Sequence, residues 1–157
     1  MNFGVALSSK SRRLWLPILV GGGLAGTFDL IAAFISFGRN VPRDIASGVL
    51  GRRAYEGGAG VGTWILGVFL HYAIAFSAAA IYCVAARKLS FLREHFVVCG
   101  LFYGIAVFLV MNLIVLPLSA VPFKVGPFTV SGLRIGLLMH MLIIGLPISF
   151  GAWKFSK

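Results

Sequence analysis

Four long apolar stretches dominate the chain: Leu14 to Phe37, Val61 to Ala86, Phe96 to Ala120 and Leu133 to Trp153. Each can cross a hydrocarbon core of about 30 Å, which takes roughly 20 mostly apolar residues in a helix. Backbone enters lipid only when its N–H and C=O groups pair within the segment, so these spans have to be helical. Little chain is left for a soluble domain. Of the 157 residues, 59% are hydrophobic and 11% charged, with a mean hydropathy of +0.98, too little polar surface for a water-soluble domain of this size. The expectation is a single all-α membrane domain over residues 1–157, a four-transmembrane-helix bundle solvated by the lipid bilayer.

The first stretch follows Lys10, Arg12 and Arg13, and so has the basic start and apolar core of a secretory signal. It is longer than a signal core and contains Asp29, and so reads as the first span. The formal charge is +10, but the basic residues are spread over both termini and every connection. That distribution argues for anchoring to anionic headgroups and against a nucleic-acid partner. Four spans put both termini on one side, which carries eight of the Lys and Arg residues against six on the other. The positive-inside rule then favours cytoplasmic termini.

The first connection, "PRDIASGVLGRRAYEGG", opens with Pro42, a good first-turn residue, and ends at Gly57-Gly58. Ile45, Val49 and Leu50 fall on one side of it, which predicts a short interfacial helix over 42–56; the alternative is a solvated basic loop. Pro117, Pro122 and Pro127 stiffen the third connection into a compact cap. Each span also carries or adjoins one Gly-x-x-x-Gly pair: Gly22 and Gly26, Gly58 and Gly62, Gly100 and Gly104, Gly132 and Gly136. Apolar side chains gain little by leaving lipid for one another, so close approach at small residues holds such helices together. The same pairs could serve homodimer contacts or a larger membrane complex. Cys83 and Cys99, one per span and without CxxC spacing, read as small apolar packing.

Asp29 lies near the middle of the first span, where an ionised carboxylate is expensive unless paired, hydrated or protonated. Projected at about 100° per residue, Gly22, Gly26, Asp29 and Ala33 form one stripe, so Asp29 faces the bundle. His71 and His140 fall on the small-residue faces of the second and fourth spans in the same projection. At about 1.5 Å per residue, Asp29, His71 and His140 come within about 5 Å of the midplane. Asn112 lies roughly 6 Å farther from the termini and within about 80° of Gly104. The expectation is a proton or ligand pocket of Asp29, His71, His140 and Asn112, in which carboxyl and imidazole share a proton. The alternative is a buried hydrogen-bond network that only fixes helix register.

No cofactor is expected outright. Two histidines on different helices could ligate haem, or join Asp29 in a three-ligand transition-metal site, which makes His71 and His140 the metal candidates. Met111, Met139 and Met141 flank Asn112 and His140, and soft thioethers favour copper(I), yet no HxxxH, ExxH or CxxCH spacing is present. GxSxG elbows, GxxxxGK[ST] loops and ordered triads are also missing, so nothing supports an enzyme.

"GGGLAGTFDL", "LHYAIAFSAAAIY", "YGIAVFLVMNLIVLPLSA" and "HMLIIGLPI" resemble the recurring blocks of small, uncharacterised four-span bacterial inner-membrane proteins. More distantly, the second to fourth spans resemble the YagU-like inner-membrane family, with a histidine in the second and fourth spans and a proline-bounded third. The resemblance implies a bacterial inner-membrane location and a four-span architecture, and no biochemical activity. Asp29 lies outside the YagU-like part of it. The residues themselves lead to proton-linked transport, channel or pH-sensing activity; the alternatives are an accessory or assembly subunit with a purely structural polar layer, and a haem or metal redox protein.

Overall fold

The computed structural model describes residues 6–56, 60–123 and 129–155, with side chains from residue 14 onward. Every regular element among them is helical. Helix α1 (Ala6–Phe37) stops at Gly38, whose φ of 82° lies in the left-handed region that glycine enters without a Cβ clash. A turn leads into α2 (Val41–Leu50), which has Pro42 and Asp44 in its first turn, both suited to a helix start. It continues as a 3-10 turn over Gly51–Tyr55. Then come α3 (Val61–Lys88), the one-turn α4 (Phe91–Glu94), α5 (Phe96–Leu118) and α6 (Val130–Phe155). Thr129 caps α6, its hydroxyl accepting from the Gly132 N–H at 3.1 Å.

Four helices are long and apolar enough to cross a membrane: Leu14–Phe37 of α1, then α3, α5 and α6. Helix α1 packs along both α3 and α6, and α5 packs along α6. Helices α3 and α5 do not run together backbone to backbone. Tyr103 of α5 crosses that gap instead, donating its hydroxyl to the Ala78 carbonyl at 2.7 Å and setting its ring edge-on to Tyr82. The half nearer the termini is tight, with Ala79, Tyr82, Cys83 and Ala86 of α3 meeting Ile144, Ile148 and Ala152 of α6. The Tyr82 hydroxyl also ties the second connection to the bundle, through the Leu92 carbonyl at 2.9 Å. In the other half a cavity lies between the spans.

Close approach explains the tight contacts. A Cβ on Gly145 would collide with the Gly100 carbonyl, so α5 and α6 touch backbone to backbone there. Gly104 lies against the His140 carbonyl, Gly136 against the Phe108 ring, and Gly22 and Gly26 against Phe76, Tyr72 and Ala75 of α3. Two of the expected packing glycines do not pack. Gly62 faces open space, and Gly132 meets only its own capping residue, Thr129. Gly58 lies outside the described residues. The glycines that carry the other close contacts, Gly21, Gly67, Gly145 and Gly151, stand outside the four Gly-x-x-x-Gly pairs.

The helix expected over 42–56 is present, as α2 and the 3-10 turn that follows it, and it is docked on the bundle. Val41, Pro42, Ala46 and Ser47 are buried, and the Pro42 carbonyl seats on Gly67, where any Cβ would overlap it. The reason is steric: α2 binds through its small residues, while Ile45 and Val49 are turned toward the space between the spans. The third connection starts on top of it, the Ala120 N–H donating to the Gly48 carbonyl at 2.9 Å. Its Pro127 lies outside the described residues.

Helices α5 and α6 each widen into a π turn, over Met111–Val115 and His140–Gly145. Both turns lead into a Leu-Pro pair, "MNLIVLP" in α5 and "MLIIGLP" in α6. Proline has no N–H for the carbonyl four residues back and crowds it, and a wider turn accommodates the mismatch.

Candidate functional site

The half of the bundle farther from the termini encloses a cavity of about 560 Å³, bounded by the four spans and roofed by α2 and the start of the third connection. Asp29, His71 and His140 all line it. Among the described residues, Asp44 and Ser119 are the only other polar side chains in its wall; the rest is Gly, Ala, branched aliphatic, Met and Phe. Asp29, His71 and His140 are each half-buried.

The two imidazoles are held differently. His71 Nε2 lies 2.8 Å from the Gly26 carbonyl of α1, so it donates there and leaves Nδ1 as the acceptor of the neutral ring. The bond crosses from α3 to α1 beside a second one, between Thr27 Oγ1 and the Tyr72 hydroxyl at 3.0 Å. His140 Nδ1 donates instead within its own helix, to the Gly136 carbonyl at 2.9 Å, with the ring edge-on to Phe108 at 5.1 Å. Its Nε2 is the ring atom left for the cavity. Asp29 is close enough to His140 for their charges to interact. No described side chain hydrogen-bonds or ion-pairs with the Asp29 carboxylate.

Asn112 is not part of this wall. Its amide donates to the Phe108 carbonyl, one turn back in the same helix, at 2.8 Å. The 100° projection that brought it near the Gly104 face assumes an unbroken α-helix, and the α-helical part ends at Val110, just before it. In α5 the wall is built by Val107, Met111, Val115 and Ser119. Nor do Asp29, His71 and His140 form a three-ligand centre: among the described residues no group of three or more His, Cys, Asp or Glu converges as a metal site would require.

No family model matches this chain, nor does any curated protein or solved structure. The site therefore rests on its own geometry.

Sequence reasoning missed Asp44, and a signal for it was present. The chain has four acidic residues against 14 basic ones. Two of the four, Asp29 and Asp44, line this cavity, and among the described residues no Lys or Arg does. Asp44 Oδ1 accepts the Tyr55 hydroxyl at 2.6 Å, which clamps the 3-10 turn onto α2. Burial first, and then this hydrogen bond, raise the Tyr55 phenol above its ordinary value of 10.0. Because the folded value is raised, the clamp is fully present below the ordinary tyrosine range and is lost as the pH climbs through the folded one. Phenolate absorbance should therefore show Tyr55 ionising later than a free tyrosine. In Asp44→Asn the value should fall toward, but not reach, the free one, since burial remains; an unchanged titration would dissociate Tyr55 from Asp44.

Proposed function

We propose that this protein is a bacterial inner-membrane protein with cytoplasmic termini, related to the small four-span proteins it resembles, and that it couples protonation of Asp29 to transport through its cavity. One observation carries the reading: a carboxylate that no described side chain hydrogen-bonds faces the same apolar cavity as two imidazoles, one of them close enough for charge interaction. A fixed network would satisfy its members, since an unsatisfied polar group in low dielectric is costly. Here His71 is tied to the Gly26 carbonyl, whereas Asp29 is half-buried at the cavity wall with His140 as its titratable neighbour.

The parts divide the work. His71, bonded to Gly26, positions α3 against α1 and keeps one tautomer. His140 presents Nε2 to the cavity and takes or returns the proton that Asp29 exchanges. With the proton on the carboxyl, both groups are neutral and compatible with an apolar wall; with it on His140, the two charges stabilise each other across the cavity. The packed alanines below the cavity separate this exchange from the side of the termini.

Infrared difference spectroscopy across a pH titration of the purified protein tests the reading. A protonated-carboxyl band that rises on acidification and is missing in Asp29→Asn is the expected result. If the wild-type and Asp29→Asn difference spectra coincide, Asp29 does not exchange a proton and the reading fails.

A further inference from the structure

The cavity is larger than proton exchange requires, and its charge is the opposite of the chain's. We infer that it binds a lipophilic cation, an apolar body carrying one positive charge, admitted from the bilayer through the gap between α3 and α5. The inference rests on the proton reading in that Asp29 serves both.

Size comes first. At about 560 Å³ the cavity falls within the range of small-molecule sites, about 300–1,000 Å³, and has their character: an apolar wall with a few convergent polar groups. Access is lateral. Helices α3 and α5 do not pack along one another, and Ile74 of α3, which lines the cavity, is 38% exposed. At the roof, Phe37, Val49 and Phe123 both line the cavity and stand exposed at its rim. A ligand that comes from lipid meets apolar side chains all the way in.

Charge then selects among lipid-soluble molecules. Among the described residues of the wall, an anion would face Asp29 and Asp44 with no Lys or Arg to offset them. A neutral ligand would displace water from Asp29 and leave the carboxylate uncompensated in an apolar setting, which is costly. A cation offsets that charge, and its apolar body fills the wall. Asp44, fixed by Tyr55, adds a second carboxylate to the wall at the roof. Proton and cation then compete for one carboxylate. Each displaces the other, which is the coupling that an exchanger needs.

Tetraphenylphosphonium and tetraphenylborate share size and shape and differ in sign, so they isolate the charge. Both are offered by equilibrium dialysis to the purified full chain in detergent, with empty micelles as the blank. Saturable binding of tetraphenylphosphonium, absent for tetraphenylborate, is expected, with affinity falling about tenfold or more in Asp29→Asn and less in Asp44→Asn. Binding in a weakly buffered solution should also release protons at a pH where Asp29 is protonated. Equal saturation by the two ions, or no saturable binding of the cation, overturns the inference without any variant. Cation affinity unchanged in both variants overturns it too, because the ion would then sit elsewhere. The infrared titration separates the two proposals. If Asp29 titrates but the cation leaves its band unchanged, the cation site falls and the proton reading stands. If the cation binds through Asp29 and no carboxyl band titrates, the cation site stands and the proton reading falls.

Discussion

In proteoliposomes under an imposed pH gradient, Asp29→Asn is expected to reduce proton flux to that of protein-free vesicles, as followed by an entrapped pH-sensitive dye. Asparagine keeps the volume and hydrogen-bonding capacity of the aspartate but carries no exchangeable acid proton. The bundle should therefore fold as before, with the same elution in detergent and the same melting midpoint. Asp29→Glu, which restores the acid on a longer stem, is expected to recover part of the flux. That recovery separates chemistry from packing, because a carboxylate that served only helix register would be served better by the near-isosteric amide. Flux retained in Asp29→Asn would remove Asp29 from the path.

Gly145→Ala is expected to pull α5 away from α6. The added Cβ would collide with the Gly100 carbonyl and come within 2.8 Å of the Gly104 nitrogen, and both obstacles are backbone. A flexible side chain could swing aside; a helix backbone has to move as a unit. Overpacking of this kind costs about 1–3 kcal/mol, occasionally more. Gly62→Ala is the matching control. Its Cβ would enter open space, and replacing a helical glycine by alanine stabilises by about 0.4–1 kcal/mol through the unfolded chain. Denaturation of the two variants in detergent should thus move their midpoints in opposite directions. Equal midpoints would mean that the α5–α6 contact is looser than its geometry.

The spans were legible in the sequence because length and hydropathy are what lipid demands of a segment, and their limits agree to within a few residues. Asp29 and the histidines could be aimed at the interior because straight α-helices project reliably. Asn112 could not, since the helix widens at Met111, and the cue was the Leu-Pro pair that follows. Helix α2 was legible as a helix, but the face by which it docks was not. In water the sticky face of a helix is its apolar face, and Ile45, Val49 and Leu50 were read that way. Between helices surrounded by lipid the binding face is the small one, so Pro42, Ala46 and Ser47 carry the docking. Gly67 stands outside the four glycine pairs, and its partner is the backbone of α2 rather than another span. Glycine spacing alone could not separate Gly104, which packs, from Gly62, which does not. Which glycine faces a neighbour depends on how each helix is rotated, and no short motif encodes that.

The paired π turns have a mechanical consequence. Each breaks a long helix into two stiff rods, joined where the hydrogen-bond ladder changes its step. Backbone contact between Gly100 and Gly145 clamps α5 to α6 at the base of the second joint, and the first joint lies farther up α5. Bending there would swing the outer rods while the inner ones stay locked. His140 is the first residue of its π turn, so such a swing would re-aim its ring without unpacking the base of the bundle.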